Sequence, residues 1–414
     1  MEDAQTNDRS IFNRSMRMKH PIRWKLAALS AAVILAACGG GGADAPGSKV
    51  SIKSVKVMGD SLSDSGVFQG IPGFGRVFSV QGSSSEPATI WTERMAALLG
   101  TPALCSFYKF TGTTFVANPV AGCTSYAIGG GRINNPASAG GAASPQSIVT
   151  QLQQAGAVAG TYAASDLLLV DGGGNDAADL VGAYLKAASD GGAAYSALLS
   201  SVLPPATVAA TLSTGATGAA QAGGLYMIAL ADKFYDAIKA NALDKGAKQV
   251  AVLNMPGITN TPRFQMVLDS IAAASNSVAG GATARAQAEG LFKSWVVAYN
   301  QELASRAAGD TRVTVVDFYS NFNDQVAHPA QYGLTNVKTP ACPASGVGSD
   351  GLPTYTFQTC TASALSAMTP PAGSTGGTDW WKTYAFSDGF HPTPYGYQLL
   401  GQLVSRSLAD AGWL

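Results

Sequence analysis

Leu167 to Val170 is an unbroken apolar run of four residues that stops at Asp171-Gly172-Gly173-Gly174. A strand buried on both faces reads this way, because its side chains meet helices above and below a parallel sheet. The pattern recurs along the chain. Val55, Val57 and Met58 lead straight into Gly59-Asp60-Ser61, and Gln249–Leu253 and Val313–Val316 are two further short apolar runs. Between them lie segments with helical spacing. Ile90–Leu99 places Trp91, Met95 and Leu98 on one face, and Gly223–Leu243, Leu291–Arg306 and Gly396–Ala411 follow. Strands alternating with helices predict an α/β chain, specifically three α/β/α layers around a mostly parallel central sheet. Two stretches interrupt the alternation. Residues 187–222 are rich in Ala, Gly and Ser and are expected to form one or two helices plus a loop. Residues 336–377 are rich in Pro, Thr, Ser and Gly. Both are expected as insertions on a single domain spanning 50–414.

Composition narrows the function by exclusion. Lys+Arg and Asp+Glu balance at 26 each, which leaves no electrostatic footprint for nucleic acid and no basic run to track an anionic membrane. The N-terminus carries more. Arg14, Arg17, Lys19, Arg23 and Lys25 precede an apolar run, Leu26 to Ala37, which is too short to span a bilayer and fits a signal-peptide core. The run ends in Leu35-Ala36-Ala37-Cys38-Gly39, which resembles a bacterial lipobox, so residues 1–37 are expected to be removed and Cys38 lipidated. Gly39 after the cysteine points, by the same resemblance, to the outer membrane or cell surface. Residues 1–15 do not read as signal peptide, which suggests a start at Met16 or Met18. Residues 38–49 read as a flexible Gly/Ala/Pro tether.

Setting Cys38 aside leaves Cys105, Cys123, Cys342 and Cys360, an even number in an exported chain. Four cysteines allow three pairings. The local ones, Cys105–Cys123 and Cys342–Cys360, are expected because each closes a short loop within one segment. No CxxC or Cys/His spacing supports a metal.

Chemistry concentrates in four blocks. Gly59-Asp60-Ser61-Leu62-Ser63-Asp64-Ser65-Gly66 puts a serine at the carboxyl end of a strand, where open α/β sheets hold ligands, with a helix expected directly behind it. A serine hydroxyl needs a base. Three histidines are present: His20 in the signal segment, His328 with no evident acid beside it, and His391 in Asp388-Gly389-Phe390-His391-Pro392. The three-residue spacing, one helical turn or a tight loop, lets Asp388 orient the imidazole. Asn175, behind the Leu167–Val170 strand, could donate to a developing oxyanion, and a glycine of Gly129-Gly130-Gly131 could present a bare N–H. Neither glycine string has the Lys-Ser/Thr or GxGxxG setting of a phosphate cradle, so no cofactor is expected.

In this order, the GDSL block, the Gly block, GxND and DxxHP resemble the GDSL family of SGNH hydrolases. The likeness covers nearly everything after Val50, including Trp91–Gly100 and Val252–Phe264. The absence of GxSxG disfavours the α/β-hydrolase fold. The resemblance implies Ser61 as nucleophile, His391 as base and Asp388 as its orienting acid. It implies an oxyanion hole from the Ser61 N–H, the Gly130 N–H and the Asn175 side chain, with Gly129 the rival to Gly130. The implied reaction is hydrolysis of carboxylic esters through an acyl-enzyme, the substrate being a lipid, phospholipid or acetylated-sugar ester. Acyl transfer to an alcohol is the alternative, and a non-catalytic lipoprotein that binds acylated ligands a remote one. The walls of the acyl site would come from the two insertions.

Overall fold

The computed structural model describes residues 51–83 and 85–414. The signal segment, Cys38 and the tether lie outside the described residues. In chain order the elements are β1 (Ser54–Met58), α1 (Trp91–Leu98), the hairpin strands β2 (Tyr108–Phe110) and β3 (Phe115–Ala117), α2 (Ile148–Ala159), β4 (Asp166–Val170), α3 (Gly174–Asp190), α4 (Ala193–Ser200), α5 (Pro205–Leu212) and α6 (Ala216–Asn241). They continue with β5 (Gln249–Leu253), α7 (Pro262–Ala273), α8 (Val278–Ala307), β6 (Val313–Val316), α9 (Phe318–Ala327), the two-residue strands β7 (Gly346–Val347) and β8 (Pro353–Thr354), α10 (Ala362–Ala367) and α11 (Pro394–Asp410).

The central sheet runs β1-β4-β5-β6, every pair parallel. Side chains alternate between its two faces, as strand geometry demands. Leu168, Val170, Val250 and Val252 enter one core with α2, α6 and α8. Leu167, Leu169, Ala251 and Leu253 enter a second core with α1, α9 and α11. This is the three-layer α/β/α arrangement, with the crossovers between its parallel strands made by helices. Outside β1, Val57 N–H donates to Thr124 O at 3.0 Å and Tyr126 N–H to Val57 O at 2.7 Å, so the segment before the Gly block borders the sheet.

Several helices differ from the sequence reading. α6 starts at Ala216, not Gly223, and α8 at Val278, not Leu291. The 187–222 stretch is mostly helix, because alanine-rich segments favour helix without needing an apolar stripe. Gly223 is no boundary: a Cβ there would fall 2.3 Å from Trp295, so this glycine lets α6 close on α8. Leu98, expected on the buried face of α1, is 62% exposed. It is the last residue of that helix and lines a shallow cleft against α11.

The 336–377 stretch builds a small third core in which Cys342, Phe357, Cys360, Leu365 and Trp380 are buried together. Both expected disulfides, Cys105–Cys123 and Cys342–Cys360, are present.

Candidate active site

β1 carries Ser61 to the carboxyl end of the sheet, but the helix expected directly after it is absent. Asp60 Oδ1 accepts the Leu62 N–H at 2.9 Å, and Asp60 O accepts the Ser63 N–H at 3.1 Å. Asp64 Oδ1 then accepts the N–H groups of Gly66 and Val67, each at 2.8 Å. Short acidic side chains that bond backbone two or three residues ahead compete with helix formation. Ser61 therefore stands on a turn, without a helix dipole behind it.

Asp388 and His391 occupy a tight loop, the second of the two shapes their spacing allows. The Ser387 N–H donates to His391 O at 2.7 Å, and Asp388 Oδ1 accepts the N–H groups of Phe390 (2.8 Å) and His391 (2.7 Å). The loop runs into α11, whose first turn is capped by Thr393 Oγ1 accepting the Gly396 N–H at 3.2 Å, with Pro394 as the first helical residue. Such a cap contributes about 1 kcal/mol and here also fixes where the loop enters the helix. His391 Nδ1 lies 2.8 Å from Asp388 Oδ2, and Nε2 lies 2.8 Å from Ser61 Oγ. With Nδ1–H donating to Asp388, Nε2 is left to accept the Ser61 hydroxyl proton. Burial disfavours the imidazolium, yet the Asp388 carboxylate outweighs it and holds the His391 pKa above the ordinary histidine value. Burial likewise pushes Asp388 up, but His391 and the loop N–H groups pull it below the usual carboxylate range.

Across from Ser61 lies the Gly block. The Gly129 N–H is taken: it donates to Asp64 Oδ2 at 2.8 Å. Gln146 Nε2 donates to Gly129 O at 3.1 Å, and Arg132 Nη1 donates to Gly130 O at 2.7 Å while its Nε and Nη2 pair with Asp179. The Gly130 N–H, like that of Ser61, makes no hydrogen bond within the described residues, and Gly130 holds φ +75°, which a glycine adopts freely. Of the two rival glycines, Gly130 is the one with a donor to offer. Asn175, in the first turn of α3, donates through Nδ2 to Gly131 O at 3.0 Å and to Asp60 Oδ2 at 3.3 Å. Ser61, Gly130, Asn175 and His391 all border one cavity of about 270 Å³.

Sequence reasoning missed several neighbours. The rings of Phe78 and Phe357 stand 5.2 and 5.6 Å, centroid to centroid, from the His391 imidazole. Phe357 comes from the second insertion. Asp64, which joins the GDSL turn to the Gly block, sits within a motif already singled out, and burial pushes its carboxyl up to about 6. His328 is elsewhere, at the end of α9, and the reading that no acid stands near it is corrected. Asp324, one helical turn earlier, lies 2.7 Å from its Nδ1. Among the described residues no group of three or more His, Cys, Asp or Glu side chains is arranged to hold a metal.

A family model described as GDSL-like Lipase/Acylhydrolase matches residues 55–404. No curated protein matches the chain.

Proposed function

Since the chain belongs to the GDSL-like lipase/acylhydrolase family and is a carboxylic ester hydrolase, we propose that it cleaves esters of long acyl chains at Ser61 through an acyl-enzyme. The observation that carries the mechanism is the hydrogen-bonded series Ser61–His391–Asp388 facing the unpartnered Gly130 N–H. Ser61 Oγ attacks the ester carbon as its proton passes to His391 Nε2, and Asp388 stabilises the imidazolium. The carbonyl oxygen, now negative, is met by the N–H groups of Ser61 and Gly130 and by the Asn175 amide. Collapse breaks the bond to the alkoxy oxygen, which leaves as the alcohol with the proton from His391. Water, deprotonated by the same imidazole, then releases the acid and restores Ser61.

The acyl-length reading rests on a groove. A cavity of about 1490 Å³ shares Asn175 and Phe390 with the Ser61 cavity and is walled by Val181 and Leu185 of α3, Leu198 of α4, and Val267 and Ile271 of α7. Arg132, Asp179, Lys186, Arg263 and Asp350 also border it, and the aliphatic stretch between them suits an alkyl chain longer than the Ser61 cavity holds. Nitrophenyl esters of graded acyl length, tested on wild type, Ser61→Ala and Gly182→Trp, check both parts. Gly182 borders the groove, and a Cβ there meets nothing within 4 Å, so a larger side chain has room to start. Ser61→Ala should be inactive on every ester. Gly182→Trp should lose long chains and keep acetate. Equal loss on all lengths would remove the groove from the reading, and an active, folded Ser61→Ala would remove the mechanism.

We further propose export and lipid attachment at Cys38, supported by the basic-then-apolar segment and Leu35-Ala36-Ala37-Cys38. Palmitate labelling of wild type but not of Cys38→Ser is the expected result; an unlabelled wild type would refute the anchor.

A further inference from the structure

Two buried carboxyl groups, those of Asp60 and Asp171, line the Ser61 cavity beside Gly130 and Asn175. β1 and β4 pair with Met58 opposite Val170, so Asp60 and Asp171, just beyond each strand, come side by side. A Cβ at Gly59 would fall 1.7 Å from Asp171 Oδ1, so it is the glycine of the GDSL turn that admits the Asp171 side chain. Asp171 Oδ1 accepts the Ser63 hydroxyl at 2.5 Å, and Ser63 Oγ accepts the Trp91 Nε1–H at 3.1 Å. Asp60 Oδ1 faces the Leu62 N–H and Asp60 Oδ2 the Asn175 amide. Of two buried carboxyl groups side by side, one is held protonated, because two like charges cannot share a site out of water. Both Asp60 oxygens already accept, whereas Asp171 Oδ2 is buried with no donor. The proton therefore belongs on Asp171 Oδ2.

We propose that Asp171 is a positioning residue: as a neutral acid it donates to Asp60, and so holds Asp60 as the acceptor that aims the Asn175 amide at the oxyanion.

The geometry makes this useful. One Asn175 N–H is anchored on Gly131 O at 3.0 Å; the other reaches Asp60 at 3.3 Å, a long contact readily yielded to a stronger acceptor. With Asp171 neutral, the pair carries one negative charge next to the position where the oxyanion forms. Ionising Asp171 would double that charge and oppose the same step. The charged and titratable groups that act on the pair are His391 and Arg132 towards Asp60, and Tyr299 on α8 and Tyr397 on α11 towards both carboxyls. Burial and the neighbouring Asp60 charge keep the proton on Asp171, its pKa lying well above the usual carboxylate range.

The inference rests on the Ser61 esterase reading, and the test separates the two. Wild type, Asp171→Asn and Asp171→Leu, each as the full chain, are compared by infrared spectroscopy and by steady-state hydrolysis of a short-chain ester across pH. Wild type should show the carbonyl band of a protonated carboxyl at neutral pH, and Asp171→Asn should lack it. Asp171→Asn, whose amide still donates to Asp60, should retain most of kcat and lose the alkaline decline of wild type. Asp171→Leu, with no donor, should lose kcat by roughly 10²-fold with KM little changed, the scale expected when a reacting group is misplaced by about 1 Å. An active wild type without the band, an Asn variant as impaired as the Leu variant, or three coincident pH profiles would overturn the pair's role. A wild type that shows the band and cleaves no ester would overturn the esterase reading instead. Should Asp171→Leu fail to fold, the band and the Asp171→Asn profile decide alone.

Discussion

His391 and His328 each set Nδ1 against an aspartate carboxylate, at 2.8 and 2.7 Å. The bonds match; the surroundings do not. The His391 and Asp388 side chains are 14% and 11% exposed, against 56% and 45% for His328 and Asp324. Asp388 is held by two backbone N–H groups, and the His391 ring is flanked by Phe78 and Phe357 with Nε2 aimed at Ser61. Asp324 divides its carboxylate between His328 and the Tyr332 hydroxyl, and water reaches the whole group. A histidine beside an acid is thus common chemistry. Removal from water and a fixed direction for the second nitrogen separate the two pairs, since charge interactions strengthen where solvent is excluded.

The comparison breaks most visibly at His391. His391→Ala should lower kcat on a short-chain ester by about 10⁶, the scale for removing the base of a serine triad, although His328 and Asp324 remain intact. Asp388→Asn comes next, at about 10⁴, because the acid sets the imidazole tautomer without taking the proton. It should also move the pH profile. The base must be neutral to act, and His391 has a raised pKa, so wild-type kcat/KM should fall as pH drops through a value above the ordinary histidine range. Asp388→Asn removes the main cause of that rise, so the acid limb should move to lower pH. An unmoved limb would mean that another group titrates there. Asn175→Ala follows, with a loss of about 10²–10³ in kcat and little change in KM, since an oxyanion donor strengthens only as charge develops. A change confined to KM would make Asn175 a binding residue.

Much of this contrast was legible in the sequence, and the remainder shows why some was not. The strands Gln249–Leu253 and Val313–Val316 were readable to the residue, because short apolar runs in parallel sheets end where the chain meets polar or glycine-rich turns. α4, α5 and the start of α6 carry no apolar period to read; their Ala/Gly/Ser composition hides helices that tertiary packing completes. Asp324 is legible as a partner of His328: it lies four residues before it, the spacing that stacks side chains on one helix face. Phe78 and Phe357 could not be found, because nothing local in either segment marks it as a neighbour of His391. The missing helix after Ser61 shows the opposite failure. Ser63, Asp64, Ser65 and Gly66 are poor helix formers that signal turns, and that local chemistry outweighs the strand–helix alternation around them.

The smallest effect is the sharpest test of the contrast. His328→Ala should leave kcat and KM for ester hydrolysis unchanged. The pair is solvated, its imidazole contacts Asp324 rather than any residue of the Ser61 cavity, and exposed pairs of this kind add little to stability. Its backbone role survives the substitution, because the His328 N–H donates to Asp324 O and closes α9 whatever the side chain. Melting curves of His328→Ala and Asp324→Ala should therefore lie close to wild type. Tyr332 loses its carboxylate partner only in Asp324→Ala, so that variant should be the less stable of the two. A dead His328→Ala alongside an active His391→Ala would reverse the comparison: the base would lie at the end of α9, and the 2.8 Å contact between His391 and Ser61 would be structural.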